Sequence, residues 1–346
     1  MNILRTSFDK FYDLIKPAVF YLTSKDPEVA HELFISGCKT LHALKLEKLV
    51  LDNSTNKLFP DFEISNAAGL NKNAEIPPQV LRYFGFDRTV VGTVTYDRWK
   101  GNPRPRCIRY PKTESLVNWM GLPGVGAKEV ADNLNKYGDH GVNITVSVMA
   151  TPGKQGDDAL RDIESTVLEF RSLPYVDRIK LNPSCPNTHA TSGTLDARKE
   201  NEKWQGDMLS VVKKAAYPFQ KIEEKVSPDL NEDDVDYYID VSKGIVDGFV
   251  ISNTTRIHDI RYIPNSPGKG GASGNAAYEL AFNVQKLFDE KRRARSLKFY
   301  ITACGGINSI ERLRERLSNG ATGVEVYTGF IFKGPKLLRE FRDYNH

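Results

Sequence analysis

Residues 181–188 read LNPSCPNT, which places Asn182, Cys185 and Asn187 within six residues of chain, held by Pro183 and Pro186. An amide offers both a donor and an acceptor, so several amides can read the edge of a polar heterocycle. A cysteine in such a turn has four uses open to it: buried filler, metal ligand, nucleophile or proton acceptor. His189 is close in sequence, yet no histidine stands in a matching position to partner Cys185 in a hydrolytic triad. Segments of similar character recur at AAGLNK (67–72), GTVT (92–95), SVMAT (147–151), KVSPD (225–229), SNTT (252–255), CGG (304–306) and YTG (327–329).

Each of these segments closes a β-rich run. The runs are FEISNAAG, RTVVGTVT, NITVSVMA, RIKLNPS, KIEEKVS, DGFVISN, FYITACGG and GVEVYTG, and helix-like stretches such as DALRDIESTVLEFRSL separate most of them. Eight strands in βα alternation predict an α/β fold, a parallel (β/α)8 TIM barrel whose chemistry gathers at the C-terminal strand ends. An open doubly wound sheet is the fallback, but no GxGxxG follows the first strand.

The first fifty residues differ. SFDKFYDLIKPAVFYL puts Phe8, Phe11, Tyr12 and Ile15 at helical spacing, with Pro17 as punctuation. DPEVAHELFISGCKTLHAL offers Asp26 as N-cap, Pro27 at the first helical position and Glu28 in the first turn, then Ala30, Leu33, Phe34 and Cys38 at helical spacing. We read residues 1–50 as a two-helix extension and 51–346 as the barrel. The extension either caps the barrel or offers an apolar surface to a membrane or a lipophilic ligand.

Composition narrows the function. A net charge of +4 on 346 residues gives no concentrated basic face, so nucleic acid is not an expected partner. Cys38, Cys107, Cys185 and Cys304 are scattered without a CxxC or Cys/His cluster, which argues against zinc or any other structural metal and against a disulfide framework. No run approaches the ~18–20 apolar residues of a membrane span, and no signal-peptide pattern opens the chain.

Read together, AAGLNK, GNPRPR, NWMGLPGVG, NPSCPNT, KVSPDL, SNTT, GGASG, CGG and VYTG occur in an order that resembles the dihydroorotate dehydrogenases, from about residue 8 to 343. The resemblance implies an FMN-containing barrel that oxidises dihydroorotate to orotate in pyrimidine synthesis. It places Gly274, Gly305, Gly306, Tyr327 and Thr328 around the FMN phosphate, where glycines let backbone N–H groups approach the oxygens. Lys72 and Lys225 would lie by the flavin, where a cation favours hydride acceptance. Ala68, Gly69, Thr93, Asn182 and Ser252 would also contact it, as would Ser147, which stands where quinone-using relatives usually carry Asn. Lys72, Asn118, Met120, Gly121, Leu122, Asn182, Asn187, Asn253 and Thr254 match the substrate positions. Cys185 matches the base that takes the proton from substrate C5 while C6 delivers hydride, with Thr188 assisting proton exit. A thiol of ordinary pKa ~8.5 serves that task near neutral pH when its surroundings favour thiolate.

The family has two classes, and this chain carries marks of both. The N-terminal helices, Lys72 in AAGLNK and Gly92 resemble class 2, which passes electrons to membrane quinones; His31, Arg109 and Tyr327 coincide with the class 2 quinone site. Cys185 and Leu122-Pro123 resemble class 1, which uses a cysteine base. The resemblance therefore implies a class 2-like enzyme with a cysteine base, a quinone acceptor and peripheral attachment to the cytoplasmic side of the inner membrane. Two alternatives stand beside it: a class 1-like enzyme using fumarate or an NAD-linked partner, and a flavin-binding membrane-surface protein without turnover. The polar segment 183–202 is expected to be a mobile lid.

Overall fold

The computed structural model describes residues 3–47, 62–138, 141–183 and 195–344, with residues 3–8 and 195–202 described by backbone alone. Eight parallel strands close into a barrel: β1 (Glu63–Asn66), β2 (Arg88–Val94), β5 (Asn143–Val148), β6 (Val176–Leu181), β7 (Lys221–Val226), β8 (Gly248–Ile251), β10 (Tyr300–Cys304) and β11 (Ala321–Val326), with β11 pairing β1 to close the ring. Six fall within the runs read from the sequence, and β6 and β11 overlap theirs but begin two residues earlier, at Val176 and Ala321.

Alternation along the strands explains both faces. Ile179, Leu181, Ile222, Val226 and Val324 face the surrounding helices and are fully buried. The opposite faces of the same strands carry Arg178, Lys180, Glu223, Lys225 and Glu325, which pair with one another inside the barrel. The interior is thus charged rather than aliphatic. A buried ion pair repays its desolvation only where partners are close, and these side chains lie within ion-pair distance of one another.

Three further strands, β3 (Cys107–Tyr110), β4 (Ser115–Asn118) and β9 (Gly271–Gly274), form an antiparallel sheet in the order β3-β4-β9. Neither their pairing nor their strand character was evident from the sequence, because each is four residues long and belongs to a glycine-, proline- or asparagine-bearing motif. The register sets Asn118 opposite both Cys107 and Gly271, and Ser115 opposite Gly274.

The extension consists of α1 (Ile3–Leu22) and α2 (Glu28–Ala43). Pro17 does not end α1; the helix runs through it. Contacts on both sides of the proline hold the two halves together: the Tyr12 hydroxyl donates to the Ile331 carbonyl at 2.6 Å, Lys16 Nζ donates to the Phe332 carbonyl at 2.8 Å, and Phe20 meets Phe332 edge-on. At the start of α2, Asp26 accepts the Glu28 N–H at 3.2 Å through its side chain, while Pro27 already has helical torsions. Arg106 Nε and Nη2 donate to Glu28 at 2.9 and 3.0 Å, and Arg104 reaches Asp26 at 2.7 Å and Glu32 at 2.6 Å. The GNPRPR segment therefore ties α2 to the barrel. Residues 48–61, which include the expected boundary at 50/51, lie outside the described residues.

Candidate active site

A cavity of about 1090 Å³ begins between α1 and α2 and continues to the C-terminal strand ends. Its outer part is lined by Val19, Ala30, His31, Phe34 and Arg109, and its floor by Lys72, Thr93, Asn182, Lys225 and Asn253. The space beneath the extension and the space over the barrel are one.

Hydrogen bonds tie the strand ends together across the floor. Asn253 Nδ2 donates to Asn182 Oδ1 at 2.9 Å, and Asn182 Nδ2 donates to the Thr93 hydroxyl at 2.8 Å. The Thr93 and Ser147 hydroxyls lie 3.0 Å apart, and Lys72 Nζ donates to the Thr93 carbonyl at 3.3 Å. Asn253 Oδ1 accepts the Thr254 N–H at 2.9 Å, and the Ser252 hydroxyl donates to the Asn253 carbonyl at 2.9 Å. These bonds fix which way each amide faces, an arrangement that suits a planar ligand with alternating donors and acceptors.

Asn118, Met120, Gly121, Leu122, Thr254, Ala68, Gly69 and Ser252 also line the cavity. Ser147 is not among its lining residues: it is wholly buried behind Thr93 and meets the site through that hydroxyl. Cys185, Asn187 and Thr188 lie outside the described residues. So does residues 184–194 of the expected lid, while its end belongs to the helix Leu195–Ala215.

At one end of the floor Gly274, Gly305, Gly306, Tyr327 and Thr328 converge. A Cβ on Gly306 would stand 2.6 Å from the Gly274 carbonyl oxygen and 2.7 Å from Tyr278 Cβ, at a φ of +70° that also favours glycine. A Cβ on Gly274 would meet Thr328 Cγ2 at 2.8 Å. Only bare backbone fits there, and it leaves a concave, glycine-lined pocket beside the Thr328 hydroxyl, as a phosphate requires.

Two arginines missed by sequence reasoning brace this pocket from behind. Arg312 Nη1 donates to the Gly306 carbonyl at 2.8 Å. Arg316, fully buried, donates through Nη2 to the Ile251 and Cys304 carbonyls at 2.6 and 3.2 Å and through Nη1 to the Gly305 carbonyl at 3.3 Å. By holding the carbonyls of 304–306, they orient the turn. Their sequence context, NSIERLRERLSNG, resembles an ordinary solvated helix face, so only packing reveals them.

Burial lowers the His31 imidazole below its usual range, against the opposing pull of Glu75, Glu28 and Glu32, which favours the neutral ring. Burial also works against the Lys225 ammonium, but Cys304 and Glu325 outweigh it and the pKa lies above the ordinary lysine value. Arg109 Nη2 donates to the Thr23 carbonyl at 2.9 Å, the Thr23 hydroxyl at 2.6 Å and the Phe20 carbonyl at 3.2 Å, while its guanidinium stacks on Phe20. Arg109 therefore lines the cavity and also secures the C-terminal end of α1. No group of metal-ligating side chains is present among the described residues.

A closed parallel barrel with a glycine-lined anion pocket and an amide belt at its strand ends defines a (β/α)8 enzyme built around a phosphorylated cofactor. The family model for dihydroorotate dehydrogenase matches residues 54–343. A Baumannia cicadellinicola protein named dihydroorotate dehydrogenase (quinone) is 32% identical over 347 residues, with 95% of this chain and 98% of that one covered. An Escherichia fergusonii protein of the same name is 30% identical over 348 residues at the same coverages. A DHODH from Eimeria tenella, crystallised with ferulenol, superposes with a TM-score of 0.78 at 23% identity, covering 94% of this chain and 93% of that one, a likeness of fold. The chain belongs to the dihydroorotate dehydrogenase family, whose quinone-dependent members are FMN flavoproteins, and the glycine pocket fits the FMN phosphate.

Proposed function

We propose that this chain oxidises dihydroorotate to orotate on the barrel floor and passes the electrons to a quinone held beneath α1 and α2. The observation that carries this reading is the single cavity joining the amide belt to the apolar space between the helices. The quinone-named relatives support the choice of acceptor.

Gly274, Gly305, Gly306 and Thr328 would hold the FMN phosphate, and Ala68, Gly69, Thr93 and Ser252 the ring system. When bound, FMN accepts the hydride that leaves substrate C6. Lys72, Asn118, Asn182, Asn253 and Thr254 orient the substrate ring, with Met120, Gly121, Leu122 and Asn187 closing the site around it. Cys185 takes the proton from C5, so a C5–H and a C6–H bond break as the ring double bond forms, and Thr188 passes the proton outward. Lys225, which lines the cavity floor, would supply positive charge that favours reduction of a flavin held there.

In the outer cavity His31, Arg109 and Tyr327 would meet the quinone carbonyls. The outer surfaces of the extension expose Leu14, Tyr21, Leu22, Leu33 and Leu44, each by more than half. No helix among the described residues is long and apolar enough to cross a membrane. These exposed side chains support shallow insertion into the cytoplasmic face of the inner membrane, through which a lipophilic acceptor enters. Steady-state assays with a water-soluble dye acceptor test the division of labour. Adding anionic phospholipid vesicles should accelerate turnover with a long-chain quinone and leave dye reduction unchanged; equal effects on both would contradict it.

A further inference from the structure

A column of buried charge runs up the barrel to the cavity. At its base the Tyr300 hydroxyl and Arg178 Nη1 donate to Glu223 Oε1 at 2.9 and 3.2 Å, and Arg178 also reaches Glu63 at 2.9 Å. One level up, Lys180 Nζ lies 3.4 Å from Glu223 Oε2 and pairs with Glu325 Oε1. At the top, Glu325 Oε2 lies 3.4 Å from Lys225 Nζ, which is 3.8 Å from Cys304 Sγ. Lys180 is wholly buried and Glu325 nearly so. Lys225 and Glu325 line the cavity, whereas Lys180 does not.

The geometry points to Glu325 as a positioning residue that links two lysines and thereby sets the charge beneath the redox cofactor. Lys225 faces the cavity, and Lys180 acts on it through the shared carboxylate. This inference rests on the reading of the cavity floor as an FMN site. In a medium of low dielectric, a unit charge one layer below the floor acts on any negative charge that builds up above it. Removing the Glu325 charge makes the floor more positive and the flavin easier to reduce. Removing the Lys180 charge does the opposite, although neither side chain takes part in proton or hydride transfer. A role in packing alone gives no such reversal of sign.

The test is the two-electron midpoint potential of FMN in the purified holoprotein, by anaerobic dye-coupled titration, for the wild type, Glu325→Gln, Lys180→Gln and the double variant. The expected result is a more positive potential in Glu325→Gln, a more negative one in Lys180→Gln, and a double variant close to wild type. Unshifted potentials, or single variants that move in the same direction, would overturn the assignment. If Glu325→Gln does not retain FMN, Lys180→Gln alone decides: a negative shift supports the link, and an unchanged or positive value rejects it. Bleaching of the wild-type flavin by dihydroorotate is recorded in parallel. A wild type that does not bleach fails the functional reading, whereas bleaching with unshifted potentials fails this inference alone.

Discussion

The side-chain amide of Asn253 donates to the side-chain oxygen of Asn182 at 2.9 Å, joining the ends of β8 and β6 across the barrel mouth. Because Asn182 passes the contact on to Thr93 at 2.8 Å, three strand ends share one hydrogen-bonded belt. The belt fixes the orientation of two amides before any substrate arrives, which lowers the cost of ordering them on binding.

Asn182→Ala removes the centre of that belt. Two neutral hydrogen bonds at about 1 kcal/mol each correspond to roughly a 30-fold loss in kcat/KM for dihydroorotate. Anaerobic stopped-flow measurement of flavin reduction should show this loss, with reoxidation by quinone unchanged. A loss of only two- or threefold would argue that the belt does not touch the substrate.

Cys185→Ala should keep bound FMN but lower the flavin reduction rate by roughly 10²–10⁴, the usual contribution of a positioned base. Cys185→Ser should retain part of the rate with its pH optimum moved upward, since a hydroxyl is far harder to deprotonate than a thiol. An unchanged pH profile would assign the proton to another group.

Ala30 lies in α2 and lines the outer cavity, away from the barrel floor. Ala30→Trp should therefore obstruct the quinone, slowing reoxidation by about tenfold or more in the units of a lost ~1.4 kcal/mol, while reduction by dihydroorotate proceeds as in wild type. Equal slowing of both half-reactions would place the acceptor elsewhere.

Glu224 points out of the barrel and bonds Gln205 at 2.5 Å and Ser242 at 2.7 Å. Burial raises its carboxyl from 4.5 to about 7, against the opposing pull of those two hydrogen bonds. A raised folded-state pKa means that the stability contribution is full below pH 4.5 and is lost as pH rises through about 7. Glu224→Gln should thus raise thermal stability at pH 8 by up to about 3 kcal/mol and make little difference at pH 4.5. The same increment at both pH values would show that Glu224 does not titrate in this window.

The barrel was legible because its strands carry β-rich runs separated by helix-like stretches, and the site because small and polar residues such as Lys72 and Asn253 stand where those runs end. The charged interior went unread. Strands such as VDRIKL alternate in a way that also suits an exposed edge, and nothing local says that Lys180 meets Glu325. Arg316 was hidden for the converse reason, since a basic helix residue near a C-terminal turn usually faces water. The β3-β4-β9 sheet escaped because β3 and β4 are only four residues each and the pairing of β4 with β9 joins residues more than 150 apart, beyond any local pattern. Pro17 misled through a local rule that tertiary contacts at Tyr12, Lys16 and Phe20 override.

The most direct measurement is anaerobic reduction of the purified yellow protein by dihydroorotate, followed by mixing with a short-chain ubiquinone or with fumarate. The expected result is rapid bleaching and then rapid reoxidation by the quinone alone. A flavin that dihydroorotate cannot bleach, or one that fumarate alone reoxidises, would contradict the account.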